Sequence, residues 1–367
     1  IMAVSRINEA GLNINQYGNR NLLINGAMQV YQRGAGTYTN NTFSLDRWKF
    51  VVSGADQAAG TITQDSDAPD GFANSLKFTT TTAETAWAND EYAYLNQNIE
   101  AQNLQQLAYG TSSAKQLTMS FYVKSSVTGT FALSLYKNDN TAQINNKTYT
   151  INSANTWEFK TITFEANTLS GGAINDDNGL GFYVNWHLAA GSDYTGGGSL
   201  SGWTNYGGNT YWADGQATNV LFTTNSSTWQ LTGCQLEVGD TATDFEHRTF
   251  ADELARCQRY YHKIQADDSY MRFCNGFYYA TTAAESIFNL PVTMRVEPSL
   301  ESTGTASDYA YYDGVGVKSC SNLILNAGSN NNSMTLQSVA GSTTQGFGAV
   351  LIANNNTDAF IAASAEL

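Results

Sequence analysis

The sequence predicts an all-β protein: an antiparallel, jelly-roll-like β-sandwich, one connecting helix, and then a smaller C-terminal β-sandwich. Three observations support this fold class. Apolar and polar residues alternate with period 2 through most of 20–245, which is typical of strands with one buried face. Turn clusters rich in Gly, Asn and Asp separate these runs, and helical periodicity is almost absent. Aromatic residues make up 12% of the 367 residues, which supplies enough apolar surface to form a core.

The domain boundaries follow from where this alternation starts and stops. The chain is long enough for two or three domains at about 150 residues each. We expect an N-terminal attachment segment over 1–20, a jelly-roll domain over 21–248, a connecting helix over 249–263 and a C-terminal β domain over 264–367.

The strands of the first domain are predicted where the alternation is strongest, at 117–123, 129–137 and 180–188. The run 157–164 changes phase between Phe159 and Ile162, which predicts a bulge. A second change of phase predicts a bulge at Gly233-Cys234, within the run 229–238.

The helix is predicted from its first turn. Thr249 is followed three residues later by Asp252, which offers an N-cap with an acidic first turn. Leu254, Cys257 and Tyr261 then recur at helical spacing. We expect this helix to pack the two sandwiches against each other. The candidate strands that follow it lie at 270–282, 286–296, 322–328, 333–341, 349–356 and 359–367.

Charge and composition exclude several classes of partner. The chain carries 18 basic and 32 acidic residues, a formal net charge of −14, which argues against a nucleic-acid partner. No apolar run approaches the roughly 20 residues of a membrane helix, so no membrane insertion is expected. The first residues lack the apolar core of a secretory signal. The four cysteines lie far apart without a Cys-x-x-Cys pair, which predicts buried, reduced thiols and no metal or redox motif.

Several segments, in order along almost the whole chain, carry a family resemblance. The most specific are QLEVG, FEHR and ELARCQRYY between Gln235 and Tyr261. Together with NLLINGAMQVYQRG, DRWKF and the terminal FIAASAEL, they resemble tail fibres and related virion appendage proteins of tailed bacteriophages. The common pattern has Pro before the Phe of FEHR, where this chain has Asp244.

The resemblance implies a jelly roll similar to carbohydrate-binding modules, often in a homotrimeric fibre that attaches to a bacterial surface. The partners that it implies are further copies of the chain, other virion proteins through the N-terminal segment, and a host-surface polysaccharide. It also implies a place on the virion after synthesis in the host cytoplasm. Within the motif, we expect Glu246 and Arg248 to form ion pairs or cap contacts that hold the helix to the sandwich.

An aromatic stretch at 201–215 is the best candidate for ligand binding. Aromatic faces stack on the C–H faces of sugars, while Asn and Thr bond their hydroxyls. The predicted carbohydrate-binding residues are Trp203, Tyr206, Tyr211 and Trp212. The alternative is that Tyr211 and Trp212 begin a strand and belong to the core. A second aromatic cluster, at 309–312, offers the same chemistry.

Metal binding and catalysis have weaker support. Asp65, Asp67 and Asp70 lie in one acidic loop that suggests structural calcium, but their spacing departs from the EF-hand pattern and Asp70-Gly71 is an ordinary turn dipeptide. No cofactor is otherwise expected.

His187 is expected to point outward from its strand and His262 to end the helix. No Gly-x-Ser-x-Gly motif is present, so we expect no enzyme, although a glycosidase-like carboxylate pair stays open.

Three functional hypotheses result. The leading one is a phage tail fibre, a receptor-binding adhesin that attaches to a host-surface glycan. The alternative is a purely structural virion appendage, such as a head fibre, decoration protein or fibre shaft. The third is a glycan depolymerase, which the absence of long sequence repeats disfavours.

Overall fold

The structure is a computed structural model that describes residues 19–34, 36–38, 42–53, 59–84, 87–217, 219–341 and 343–367. Most of the expected attachment segment, residues 1–18, lies outside the described residues. The chain divides into two compact units. The first holds the described residues up to 29, those of 36–43 and those of 48–248; the second holds 30–34, 44–47 and the described residues of 249–367.

The first unit is an antiparallel sandwich of two sheets. Its strands are β1 (Gly36–Tyr38), β2 (Thr42–Phe43), β3 (Lys49–Ser53), β4 (Ala59–Asp65), β5 (Ser75–Thr82), β6 (Tyr92–Glu100), β7 (Leu117–Ser125), β8 (Gly129–Lys137), β9 (Gln143–Ile151), β10 (Glu158–Phe164), β11 (Leu180–Ala190), β12 (Thr204–Asn205) and β13 (Thr228–Val238). One sheet has the order β1-β4-β5-β13-β7-β10, and the other β12-β9-β8-β11-β6-β3-β2. A short helix, α1 (Val220–Thr223), precedes β13.

Aromatic rings from both sheets meet in the core of this unit. Trp186 on β11 lies 5.3 Å from the ring of Trp48 and 5.9 Å from that of Phe121 on β7. All three are fully buried, and each such side chain stabilises the fold by about 1.5–3 kcal/mol through burial. The predicted strands at 117–123, 129–137 and 180–188 are confirmed as β7, β8 and β11.

The two predicted bulges have different outcomes. The bulge at Gly233-Cys234 is confirmed, because the pairing of β13 with β7 shifts between Thr232 and Gln235. The prediction of a bulge in β10 is wrong, because β10 pairs with β7 residue for residue throughout. Phe159 is 51% exposed and faces away from the core, where its ring contacts Tyr122 at 4.9 Å. Phe159 is apolar although it lies on the outer face, and for this reason the alternation of apolar and polar residues suggested a change of phase.

The FEHR motif secures the first described residues of the chain. The Glu246 carboxylate accepts the backbone N–H groups of Arg20 and Asn21 at 3.1 and 3.0 Å. Arg248 forms an ion pair with Glu246 at 3.0 Å and donates to the carbonyl of Leu23 at 3.1 Å. The predicted ion pair is confirmed, and the segment that it holds is 20–23.

The second unit is a smaller antiparallel sandwich. Its elements are α2 (Phe250–Gln258), β14 (Tyr261–Gln265), β15 (Arg272–Ala280), β16 (Ala283–Asn289), β17 (Ser299–Ser302), β18 (Tyr309–Tyr312), β19 (Val317–Ser319), β20 (Ile324–Leu325), β21 (Ser333–Val339), β22 (Gly348–Ala353) and β23 (Phe360–Ser364). A three-stranded sheet, β14-β23-β17, and a seven-stranded sheet, β19-β18-β22-β15-β16-β21-β20, enclose its core.

Helix α2 begins as predicted and ends early. The Thr249 hydroxyl accepts the N–H of Asp252 at 3.2 Å, which confirms the N-cap. The helix stops at Gln258 rather than 263, because Tyr261–Gln265 pairs with β23. His262 is therefore a strand residue and does not end the helix. The tyrosine pair at 260–261 favours a strand, and the ladder with β23 satisfies its backbone.

All four cysteines are free, and three of them, Cys234, Cys257 and Cys320, are buried. Among the residues that the structure describes, we find no helix with the length and apolar character needed to cross a bilayer.

Candidate functional site

A cleft of about 410 Å³ opens on the outer face of the seven-stranded sheet of the first unit. This volume lies within the range of small-molecule sites, about 300–1,000 Å³. Seven aromatic rings and two amides line it: Tyr92, Tyr94, Tyr136, Asn138, Tyr183, Tyr194, Tyr206, Asn209 and Trp212.

Strand periodicity explains the floor of the cleft. On β11, Phe182 and Val184 face the core, so Tyr183 between them faces outward. Its register partner on β8 is Tyr136, and the two rings lie 5.6 Å apart. Tyr92 and Tyr94 alternate in the same way on β6, which pairs with β11 on its other side. Three adjacent strands thus contribute tyrosines to one surface.

The segment 191–217 supplies the walls. It is held in place by Asp214, whose carboxylate accepts the N–H groups of Gly196 at 2.8 Å and Ser199 at 2.7 Å. Asn146 on β9 donates to the carbonyl of Tyr211 at 2.7 Å. Gly208, at φ 136°, permits the turn that precedes Asn209.

Trp212 lies at the centre of the cleft. Its ring centroid is 5.3 Å from that of Tyr136, 5.6 Å from Tyr94 and 6.2 Å from Tyr206. The interplanar angles are 66°, 64° and 80°, respectively. Edge-to-face pairs of this kind contribute about 0.5–1.5 kcal/mol each beyond burial, so the rings support one another.

The phenols of the cleft are hydrogen-bond donors at neutral pH. Burial, together with neighbouring tyrosines, raises the pKa of Tyr206 to about 12, and burial also raises the pKa of Tyr183. The hydroxyl of Tyr136 donates to Asn138 at 3.2 Å and that of Tyr206 to Asn209 at 3.4 Å. Within the described part of the chain, no hydrogen-bond partner is found for four other hydroxyls, those of Tyr92, Tyr94, Tyr183 and Tyr194. These groups are available to a ligand.

His187 lies beneath Trp212, with 6.2 Å between the ring centroids. It is on the outer face of β11, but the expectation that it points outward to solvent is wrong, because Trp212 and Tyr94 cover it completely. Its Nε2 is 2.9 Å from the Ser134 hydroxyl. Burial lowers the pKa of His187 to about 3, so the ring is neutral at physiological pH.

The structure places the four predicted binding residues in two different settings. Tyr206 and Trp212 line the cleft. Trp203 stacks on Phe182 at 5.9 Å and donates its indole N–H to the carbonyl of Glu165 at 2.8 Å. Tyr211 does not line the cleft, and its ring packs against glycines of the same segment.

The tyrosines on the strands and Tyr194 were missed in the sequence. Their signal was present in YAYLNQNIE, where Tyr92 and Tyr94 alternate, and in Tyr183 between two core residues. Aromatic rings at the outward positions of several strands indicate a covered or functional face.

The second aromatic cluster is part of the core of the second unit. Tyr309 and Tyr311 are fully buried, and Tyr312 is half-buried. The Tyr309 hydroxyl donates to the carbonyl of Phe360 at 2.5 Å. Because these rings fill the core, this cluster is not a binding surface.

The acidic loop is neutralised by lysines. Asp65 forms an ion pair with Lys77 at 2.8 Å, and Asp67 pairs with Lys124 and accepts the indole N–H of Trp157 at 3.1 Å. Across the described ranges, no group of three or more His, Cys, Asp or Glu residues could hold a metal ion. Asp65 and Asp67 are thus paired with lysines, and a calcium site at Asp65, Asp67 and Asp70 stays a prediction.

Comparison with known proteins finds similarity in fold. No protein-family model matches the chain, and no curated sequence matches it. The enzymatically active domain of tailspike protein 4 of bacteriophage CBA120 is 14% identical with a TM-score of 0.34, over 60% of this chain and 21% of that one. The chain thus spans about a fifth of that protein's length.

Sugar-binding structures are also similar. A putative sugar binding protein from Bacteroides thetaiotaomicron is 14% identical with a TM-score of 0.33, over 59% of this chain and 99% of that one. A family 11 carbohydrate-binding module from Clostridium thermocellum, in complex with a β-1,3-1,4-mixed-linked tetrasaccharide, is 13% identical with a TM-score of 0.28, over 58% and 98%. At these identities the likeness concerns the β-sandwich fold alone.

Proposed function

We propose that this chain is a non-enzymatic, glycan-binding adhesin of a phage virion appendage, and that the aromatic cleft of the first unit is its binding site. The observation that carries the proposal is the joining of seven aromatic rings and two amides in one cleft of about 410 Å³. Ring faces stack on the C–H faces of a pyranose, while phenol and amide groups bond its hydroxyls.

The assignment to a virion rests on the family resemblance of the QLEVG, FEHR and ELARCQRYY segments. On that basis the ligand is a host-surface polysaccharide, and the partners are two further copies of the chain and other virion proteins. The N-terminal segment is proposed as the attachment to the particle.

The composition of the cleft favours binding over hydrolysis. Glycosidases need two carboxylates about 5–9.5 Å apart across the scissile bond. None of the nine described residues that line the cleft is acidic. A depolymerase would therefore have to use another site.

Three cleft variants test the proposal: Tyr206→Ala, Tyr194→Ala and Trp212→Ala. We expect each to weaken binding to the host polysaccharide by about two- to tenfold, since a stacked ring contributes on the order of 0.5–1.5 kcal/mol. The measurements are calorimetric titration and adsorption to host cells. The matched control is Phe159→Ala, which removes a 51% exposed ring from the other sheet.

The same variants separate the alternatives. A purely structural appendage predicts that wild type binds no host glycan, and that all four variants assemble normally. Unchanged affinity in folded Tyr206→Ala and Tyr194→Ala proteins would contradict the cleft as the site. Melting curves identify a variant that loses binding only because it unfolds. Trp212→Ala carries the greatest risk of unfolding, because the Trp212 ring covers His187.

A further inference from the structure

The cleft has an unusual charge environment for a site rich in hydrogen-bond donors. None of the nine described lining residues is acidic or basic. At its rim, Asp90 and Asp193 are exposed carboxylates. They act on Tyr194: burial is the main cause of its raised pKa, and Tyr92, Asp90 and Asp193 add to it. Two carboxylates therefore lie near Tyr194, and the whole chain carries a formal net charge of −14.

One lysine adjoins the cleft in sequence but does not line it. Lys137 lies between Tyr136 and Asn138, but its side chain is fully buried. Its ammonium donates to the carbonyls of Thr141 and Gly171, both at 3.0 Å, and also bonds the carbonyl of Asp139. The cation is thus held by backbone oxygens beside the cleft and does not line it.

The rings form a box. At the rim, the rings of Tyr92 and Tyr194 are 4.6 Å apart at 73°. In the middle, Tyr206 stands at 80° to Trp212 and at 81° to Tyr136. Because neighbouring rings are nearly perpendicular, their faces point in several directions, and more than one face borders the cleft. Those faces carry the negative end of the ring quadrupole, and they attract a cation within about 6 Å of a ring centroid.

We propose that this cleft selects a compact organic cation, an amine or quaternary ammonium group carried by the surface glycan, over a neutral sugar of the same size. The inference rests on the function proposed above and names the ligand chemistry of the same site. An ammonium guest would place its charge among the rings and toward the rim carboxylates. The unpartnered phenol oxygens can accept N–H bonds from an amine, whereas a quaternary ammonium needs no such acceptor.

The test uses the full-length chain and pairs of probes that differ in charge. Choline is compared with 3,3-dimethylbutan-1-ol, in which carbon replaces the nitrogen, and glucosamine is compared with glucose. We expect the charged member to bind about tenfold more tightly than its neutral counterpart, the scale of a desolvated cation–π contact. Preference within the first pair identifies a quaternary ammonium ligand, and preference within the second an amino sugar.

Variants at the rim and in the box make the test specific. The double variant Asp90→Asn with Asp193→Asn removes the rim charge without removing a ring, and we expect it to weaken binding of the charged probe two- to threefold and to leave the neutral probe unchanged. Tyr194→Leu is expected to weaken the charged probe more than the neutral one, since it removes a π face and keeps apolar contact. Phe159→Leu, on the opposite sheet, should change neither.

The outcomes distinguish this inference from the function on which it rests. Equal affinity within both probe pairs overturns the cation preference. The cation preference is also overturned if, on a polysaccharide array, only neutral glycans bind and Tyr206→Ala abolishes their binding. In that case the proposal that the cleft binds glycans is retained. Binding of neither probe nor polysaccharide overturns both.

Discussion

At the scale of single residues, His187 makes the stability of the fold depend on pH. Its folded pKa of about 3 lies below the ordinary value of 6.5 because the ring is buried. Between these values the unfolded chain binds more protons, so the contribution of neutral His187 to stability is complete above about pH 6.5 and is lost as the pH falls toward 3. At pH 5 the loss amounts to about 2 kcal/mol.

His187→Gln should remove this dependence, because Gln keeps a polar contact for Ser134 and does not titrate. We expect its unfolding free energy, measured in urea at pH 7 and pH 5, to change about 2 kcal/mol less between the two than that of wild type. His247→Gln, at an exposed position of the same unit, is the control. An equal pH dependence in wild type and His187→Gln would contradict the assignment.

At the scale of elements, the bulge in β13 depends on one glycine. Gly233 has φ 62°, and a Cβ added there would lie 2.8 Å from the Phe72 ring and 3.1 Å from that of Tyr122. Gly233→Ala therefore combines an unfavourable backbone conformation with a steric clash, and we expect it to lower the unfolding free energy by about 1–3 kcal/mol. Thermal and urea unfolding measure the effect.

Gly316→Ala is the matched control, since nothing lies within 4 Å of a Cβ at Gly316 and its φ is not positive. It should change stability by less than about 0.5 kcal/mol. If Gly233→Ala is as stable as this control, the bulge is not conformationally demanding.

Elements were predictable where one local rule acts alone. The period of β11 and the Thr249 cap are local features, and the structure confirms both. The end of α2 is not local, because it depends on pairing with β23, about a hundred residues later in the chain. The aromatic residues within 201–215 were enough to predict Tyr206 and Trp212 as binding residues. The tyrosines on the floor of the cleft could not be predicted in this way, because the register of three strands brings them together.

At the scale of the whole molecule, the homotrimer implied by the family resemblance is still a prediction. The second unit offers a surface suited to it. Pairing of β15, β16 and β21 places Phe277, Ile287 and Val339 on the same face of the seven-stranded sheet. These side chains are 44%, 50% and 47% exposed, and the opposite face of that sheet fills the core.

We expect the trimer to bury this face, since apolar area removed from water contributes about 25 cal/mol per Å² and a symmetric contact repeats the gain in each copy. Wild type should therefore scatter light as three chains at micromolar concentration. Phe277→Lys with Ile287→Lys should scatter as one chain with its melting curve retained, because both positions are exposed in the single chain. Val315→Lys, at a 90% exposed position in the turn between β18 and β19, should remain trimeric. A monomeric wild type contradicts the trimer, and a trimeric double variant assigns the contact to another surface.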